Sequence, residues 1–217
     1  MFDTANARRL MVEGQIRTAD VTDLDLLAAM QTVPRERFLP AALADLAYVD
    51  KDIMIAAGRA LLKPMVLAKL IQAARVKRTD RILDVACGTG YSTAVLAQLA
   101  GAVIGLEENP DLAGQAKNAL AAAGALATEV VIGPLIEGWP AGAPYDLILL
   151  NGLTEIIPEA LGGQLKPEGR LIGVYGRSHA AKATVFYMIE KQLVGRPVFD
   201  ASAPLLPGFG SPPGFVF

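Results

Sequence analysis

The spacing of apolar residues changes about a third of the way along the chain. Before that point, they recur every three or four positions, as on one face of a helix. Thr22 or Asp23 can cap the first helix, Pro34 ends it, and Pro64 can begin the second. The two apolar stripes are Leu24, Leu27, Met30 and Val33, and Val66, Leu67, Leu70, Ile71 and Ala74.

From Arg81 onward, short apolar runs alternate with helical segments. The runs have the length and the Val, Ile and Leu content of buried strands: 81–86, 103–107, 129–133, 146–151 and 170–175. The helical segments are 92–100, 110–123 and 158–165. This alternation predicts right-handed crossovers and a parallel sheet covered on both faces, which is an α/β fold.

Other segments have weaker patterns. Residues 40–46 suit a short helix, and 48–63 have no clean period, which predicts a loop with a few extended residues. Residues 184–199 suit a closing antiparallel pair of strands that turns at 195–197. The Gly- and Pro-rich residues 204–217 are predicted to form a loop or strap, here called the C-terminal strap.

Composition narrows the class of protein. The 217 residues carry a net charge of −2, so no basic excess favours nucleic acid as a partner. Apolar residues make up 53% and charged residues 19%, which excludes disorder because the chain can bury a large core. One cysteine and one histidine argue against a disulfide framework and against most metal sites.

Neither targeting nor membrane segments are expected. The start, MFDTANARRL, has an acid and two arginines with no apolar stretch behind them, unlike a signal peptide. The most apolar stretch, 94–106, falls short of the roughly 20 residues that a membrane helix needs. The chain is therefore predicted to be cytoplasmic, with no membrane partner.

A glycine-rich turn directly follows the first predicted strand, in the stretch DVACGTGYS (84–92). Gly88 and Gly90 let the backbone approach a ligand, and the next helix offers free N–H groups to it. Glu107, 19 positions after Gly88, ends the second strand, where an acid can accept both ribose hydroxyls. Together these features predict a nucleoside site beyond the carboxyl ends of the strands.

The motif favours S-adenosyl-L-methionine over NAD. Thr93 stands where a dinucleotide fingerprint has its third glycine. Asp84, four residues before Gly88, suits a cationic ligand, and S-adenosyl-L-methionine carries an ammonium and a sulfonium group. A nicotinamide-dependent oxidoreductase stays as the weaker alternative, since no proton-handling group can be assigned to it.

The chain resembles the protein-L-isoaspartate O-methyltransferases over nearly its whole length. VPRERF, AYVD, GWP and APYD, in this order, are more specific to that family than the nucleotide motif. The matching pieces are MVEGQIR (11–17), AMQTVPRERFLP (29–40), AYVD (47–50), DVACGTGYSTAVLA (84–97), VIGLEENP (103–110), GWP (138–140), APYDLILL (143–150) and QLKPEGRLIGVYG (164–176).

The resemblance implies a class I methyltransferase fold: a Rossmann-like, doubly wound, mostly parallel seven-stranded sheet with an antiparallel C-terminal strand pair. It implies one integrated domain, with a helical N-terminal extension and acceptor loop over 1–78 and a donor-binding core over 79–217. The implied reaction uses S-adenosyl-L-methionine to methylate isoaspartyl carboxylates in damaged proteins, for their repair. Proteins or peptides with isoaspartyl residues would then be its partners.

The resemblance also implies which residues hold the donor. Asp84 and the two glycines of the turn would hold its methionine part, and Glu107 its ribose. The full predicted set is Asp84, Ala86, Gly88, Gly90, Glu107, Gly133 and Leu135. At the adenine edge, the family's glycine-acid-glycine is replaced by residues 133–135, and its T-A-A after the fourth strand by Asn151-Gly152-Leu153.

The acceptor loop, residues 58–64, departs from the family. Where the family usually has GQTISQP, this chain has GRALLKP, so Ala60 and Leu62 replace two hydroxyls that face the substrate carboxylate. Arg59 and Lys63 have two interpretations. They are either a solvated face or the groups that hold the carboxylate in place of the hydroxyls.

Three further residues could carry chemistry. Cys87 lies inside the glycine turn, where any small residue fits, and is interpreted as structural. His179 follows the fifth strand, and an exposed loop histidine is a commoner case than a general base. Trp139 is expected to pack a loop corner.

Two methyltransferase hypotheses stay open. One is isoaspartyl repair, and the other is a relative of the same architecture that methylates another acceptor or only binds the donor. A carboxylate acceptor is ionised at neutral pH, since its ordinary pKa is about 4, so the reaction needs no general base.

Overall fold

A computed structural model describes residues 3–125, 127–156, 159–177, 180–190 and 192–212. Among these, the α-helices are Thr4–Met11 (α1), Leu24–Thr32 (α2), Pro64–Ala74 (α3), Tyr91–Ala97 (α4), Pro110–Ala122 (α5) and Glu159–Gly162 (α6). The strands are Ile53–Ala56 (β1), Arg59–Leu61 (β2), Arg81–Val85 (β3), Ala102–Glu107 (β4), Thr128–Ile132 (β5), Tyr145–Thr154 (β6), Leu165–Tyr175 (β7), Lys182–Ile189 (β8) and Gln192–Asp200 (β9).

A seven-stranded sheet has the order β5-β4-β3-β6-β7-β8-β9. Strands β3 to β7 pair in parallel, and β8 and β9 pair antiparallel to their neighbours. The predicted mostly parallel sheet and its antiparallel C-terminal pair are confirmed. The order reverses between β3 and β6, so the carboxyl ends of these two strands border the crevice of a doubly wound sheet.

The N-terminal helices begin and end at the expected kinds of residue. Oδ1 of Asp23 accepts a hydrogen bond from the N–H of Leu26, which caps α2. Pro64 lies in the first turn of α3, where its missing N–H costs nothing. Before α2, the chain continues α1 through one π-helical turn, Val12–Ile16, and one 3₁₀ turn, Arg17–Ala19.

One prediction about local structure is wrong, and one is incomplete. Residues Gly195–Pro197 do not turn, because they lie inside β9, and the chain reverses between Ile189 and Gln192. Among the described residues β9 is the edge strand of the sheet, and an edge strand tolerates a proline such as Pro197. The segment 48–63 contains a hairpin, here called the β1–β2 hairpin (53–61), rather than only a loop.

Alternate residues of the strands point to opposite faces of the sheet, and both faces are covered. On one face, Ile82 and Leu149 lie in a core that includes Met11 and Ile16 of the N-terminal helices. On the other face, Leu83 lies in a core with parts of the C-terminal strap. The N-terminal segment therefore packs directly on the sheet. In the described ranges, no helix has both the length and the apolar character to cross a membrane.

Candidate active site

The turn between β3 and α4 contains two glycines, which let its backbone lie close to neighbouring groups. Gly88 has φ +58° and Gly90 has φ +93°, so both adopt the left-handed region that favours glycine. A Cβ on Gly90 would lie 3.2 Å from Cγ of Leu120 in α5. Ala86 also has a positive φ, of 59°, and is buried. Cys87 is buried beside Gly105, and burial raises the pKa of its thiol, so it suits its structural interpretation.

Glu107 ends β4 with a fully buried carboxylate. It accepts hydrogen bonds of 3.0 Å from three backbone N–H groups, those of Gly88, Glu108 and Asn109. The predicted spacing of 19 residues thus corresponds to a direct contact between the glycine turn and the acid.

Arg59 lies in neither of the two positions that the sequence predicted for it. Its guanidinium is buried, and Nε lies 3.0 Å and 3.2 Å from the two carboxylate oxygens of Glu107. Its Nη2 donates to Glu108 over 2.6 Å. The residue is therefore neither part of a solvated face nor free for an acceptor carboxylate, because it is paired with the acid assigned to the ribose.

Asp84 is fully buried in a network of neutral donors. Its Oδ2 accepts from the hydroxyls of Ser92 (2.7 Å) and Thr93 (2.6 Å), and its Oδ1 accepts from Nδ2 of Asn151 (2.6 Å). Burial raises the pKa of Asp84 to about 6, and the three hydrogen bonds only partly offset that rise. Its hydrogen-bond partners carry no positive charge, so the carboxylate suits a cationic ligand electrostatically.

The β1–β2 hairpin covers the glycine turn. A Cβ on Gly88 would lie 2.8 Å from Cδ1 of Ile55, so the hairpin contacts the turn directly. Below the hairpin lies a cavity of about 10 Å³, roughly the space of one water molecule. Its lining includes Ala60 and Leu62 from the acceptor loop and Asn151 from β6. The loop thus lies between the donor motif and the end of β6.

Lys63 differs from Arg59 in its surroundings. Its side chain is part-exposed, and Nζ lies 3.5 Å from Oγ of Ser202, just before the C-terminal strap. Its backbone N–H donates to Oδ1 of Asp52 over 2.8 Å, which fixes the end of the acceptor loop.

Arg35 is a residue of this region that the sequence analysis missed. It is fully buried. Its Nε donates a hydrogen bond to the carbonyl of Ala47 (2.7 Å), and its Nη2 donates one to the carbonyl of Leu62 (2.8 Å). The guanidinium also lies 4.7 Å from the centre of the Tyr91 ring. Arg35 thus joins the acceptor loop to the VPRERF segment and the AYVD stretch, which are two of the family-specific pieces of the sequence.

The residues predicted to border the adenine follow β5. Gly133 donates its N–H to the carbonyl of Glu107 over 3.2 Å, and Leu135 is buried in the core. Trp139 packs beside Gly133, with its backbone N–H bonded to Gln164, which agrees with a role in packing a loop corner. His179 lies outside the described residues.

These residues fit S-adenosyl-L-methionine in their chemistry. Glu107 offers a buried carboxylate for a ribose diol, the glycine turn offers close backbone approach, and Asp84 offers a negative charge. The fit is incomplete in two respects. Arg59 lies on the carboxylate of Glu107, and Ile55 lies against Gly88, which leaves a cavity of only about 10 Å³ beside the turn.

The sequence matches the family model described as "Protein-L-isoaspartate(D-aspartate) O-methyltransferase (PCMT)" over residues 6–196. A protein-L-isoaspartate O-methyltransferase of Opitutus terrae is 38% identical over 200 residues, covering 92% of this chain and 84% of that protein. A second, from Methylorubrum extorquens, is 42% identical over 170 residues, covering 78% and 74%. The family resemblance read from the motifs is confirmed.

Solved structures share the fold. One protein-L-isoaspartate O-methyltransferase has a TM-score of 0.76 at 23% identity and covers 93% of this chain and 66% of that chain. A putative one from Plasmodium falciparum, in complex with S-adenosyl-L-homocysteine, has a TM-score of 0.78 at 20% identity and covers 92% and 97%. These likenesses confirm the predicted Rossmann-like fold class.

Proposed function

We propose that this chain, which belongs to the protein-L-isoaspartate(D-aspartate) O-methyltransferase family, transfers a methyl group from S-adenosyl-L-methionine to isoaspartyl carboxylates in damaged proteins. The observation that carries the proposal is the direct contact between the glycine turn and the buried Glu107, over 3.0 Å from the N–H of Gly88. That contact supports Glu107 as the ribose acceptor, because it lies beside the glycine turn that is predicted to hold the rest of the donor.

The chain's own part in the reaction is positioning and the exclusion of water. When bound, S-adenosyl-L-methionine supplies a methyl group on a positively charged sulfur. A carboxylate oxygen bonds to the methyl carbon in line with the carbon–sulfur bond, which breaks as S-adenosyl-L-homocysteine leaves. Asp84 supplies a negative charge toward that positive end, and the β1–β2 hairpin covers the turn through Ile55. Because the acceptor carboxylate is already ionised, a covered and well-oriented site is what the reaction requires.

The acceptor side is assigned to the loop 58–64. Ala60 and Leu62 line the cavity between the hairpin and Asn151, which supports an acceptor site at this loop. Of the two cations proposed for the carboxylate, Lys63 keeps a part-exposed ammonium, whereas Arg59 is buried in its ion pairs. We assign the acceptor carboxylate contact to Lys63.

A second candidate is a methyltransferase for a different acceptor. It is favoured by one observation, which is that neither Ala60 nor Leu62 can donate the hydrogen bonds that hydroxyls at these positions give to a carboxylate. A carboxylate left without partners in a buried site costs several kcal/mol.

One assay tests the proposal. The purified protein is incubated with methyl-labelled S-adenosyl-L-methionine and an isoaspartyl peptide, beside the same peptide with aspartate. We expect label in the first peptide only, and a Glu107→Gln variant that loses at least about tenfold in donor affinity. Labelling of neither peptide, with intact donor binding, would favour the second candidate.

The proposal includes isoaspartyl proteins as partners and the cytoplasm as location. The one cysteine, Cys87, is buried in its thiol form, and a chain without disulfides suits a reducing compartment. Fractionation of cells with an antibody to the chain tests the location.

A further inference from the structure

Arg59 holds the carboxylate that the proposed function gives to the ribose. Its side chain is 4% exposed and that of Glu107 is fully buried, so water screens this ion pair little. The distances of 3.0 Å and 3.2 Å from Nε to the two oxygens make it a shared, charge-assisted hydrogen bond.

Glu107 has no acceptor capacity left while this pair exists. A carboxylate offers about four acceptor positions. Three are taken by the N–H groups of Gly88, Glu108 and Asn109, and Arg59 takes the remainder. A ribose diol can therefore bond Glu107 only when the guanidinium moves away.

Glu108 is a second carboxylate that holds the guanidinium of Arg59. Its Oε1 accepts from Nη2 of Arg59 over 2.6 Å, and its side chain is 39% exposed. Glu108 can thus follow Arg59 outward, since it is not confined by the core. The guanidinium then leaves Glu107 without losing a carboxylate partner, which removes much of the cost of breaking a buried pair.

We propose that Arg59 sets the affinity of the donor site by moving between these two acids. In the free chain it neutralises Glu107, and in the donor-bound chain Glu108 alone holds it. Glu108 is then a positioning residue for donor binding, because its carboxylate acts through Arg59. This inference rests on the proposed function, because it requires that Glu107 bind the ribose.

Arg59→Gln tests the first half. Calorimetry with S-adenosyl-L-homocysteine, which requires no turnover, should show affinity about tenfold higher than in the parent chain, because the ribose no longer displaces a cation. Lys117→Gln is the matched control. It removes one positive charge from the exposed face of α5 and should leave the affinity unchanged.

Glu108→Gln tests the second half. Without the second acid, Arg59 stays on Glu107, so the affinity for S-adenosyl-L-homocysteine should fall by about fivefold. In the Arg59→Gln background the same substitution should have no effect, a non-additivity that a merely structural Glu108 would not produce. Asp111→Asn, which removes an exposed acid from the first turn of α5, is the control.

The outcomes separate cleanly. If the parent chain binds S-adenosyl-L-homocysteine and Arg59→Gln binds it no more tightly, Arg59 does not compete with the ribose and the inference is wrong. An unchanged affinity in Glu108→Gln overturns the role of Glu108. If neither the parent chain nor any variant binds the ligand, the proposed function fails and the inference fails with it.

Discussion

Asn151 donates a 2.6 Å hydrogen bond from Nδ2 to Oδ1 of Asp84, across the parallel strands β6 and β3. A second bond of 3.2 Å, to the carbonyl of Val85, fixes the same amide group. The end of β6 is thereby joined to the start of the glycine turn. The hydrogen-bond partners of Asp84 in this network are all neutral. No positive charge among them compensates the buried carboxylate, so its ionisation should lower the stability of the fold.

The stability of the chain should depend on the ionisation of Asp84. Burial raises the pKa of Asp84 from 3.8 to about 6, so the folded state binds this proton more tightly than the unfolded state does. The tighter binding of this proton adds to the free energy of unfolding. Its contribution is complete below about pH 4 and is lost as the pH rises through 6. The loss amounts to roughly 3 kcal/mol. Urea denaturation of the parent chain and Asp84→Asn at pH 4 and pH 7 measures it.

Asp146→Asn is the control, because its sign is opposite. Burial raises the pKa of Asp146. The hydrogen bond from the N–H of Arg81 and the ammonium of Lys166 together lower it by more than that, so the net shift is downward. This acid contributes stability that is lost as the pH falls. A parent chain and an Asp84→Asn variant with parallel pH profiles would contradict the raised pKa of Asp84.

Asp84→Asn should also change which ligand binds better. S-adenosyl-L-methionine has a positively charged sulfur, and S-adenosyl-L-homocysteine has a neutral one. If Asp84 compensates that charge, the variant loses roughly tenfold more affinity for the first than for the second. Calorimetry with both ligands at pH 7 gives the ratio. Equal losses would mean that Asp84 acts only through the shape of the turn.

Arg35→Lys should destabilise the fold. The arginine satisfies two carbonyls, of Ala47 and Leu62, and a lysine ammonium cannot reproduce this planar arrangement. The buried carbonyl that loses its partner costs about 1–3 kcal/mol, which urea denaturation detects. Arg37→Lys, two residues along and exposed, should change the free energy of unfolding by less than about 0.5 kcal/mol.

Ala60→Thr combined with Leu62→Ser should raise kcat/KM for an isoaspartyl peptide. Both positions line the cavity at the acceptor loop, and hydroxyls there supply donors for a carboxylate. Because Leu62 is only 3% exposed, the serine also costs about 2–4 kcal/mol of stability. The assay is therefore run well below the melting temperature, with the aspartyl peptide as control. An unchanged kcat/KM would place the acceptor elsewhere.

Sequence reasoning was most successful where structure is local. The strand that ends at Val85, the glycine turn and the strand that ends at Glu107 follow from short-range patterns, since strand length and turn residues are decided by near neighbours. The same holds for α2 and its Asp23 cap.

The rest depended on contacts that sequence spacing does not contain. Arg59 finds Glu107 from 48 residues away, and only the register of the β1–β2 hairpin turns it inward. Arg35 reads as one charge among several in a polar segment, although it is fully buried. Pro197 reads as a turn residue, yet the outer edge of β9 accepts it.

The turn of the β1–β2 hairpin lies against the C-terminal strap. A Cβ on Gly58 would be only 3.0 Å from Cγ of Pro207, and the strap is hydrogen-bonded to β6, with the N–H of Leu206 2.9 Å from the carbonyl of Leu153. The hairpin therefore cannot lift away without parting from a segment that flanks the acceptor loop. Any opening of the hairpin therefore breaks its contact with the strap as well as its contact with Gly88.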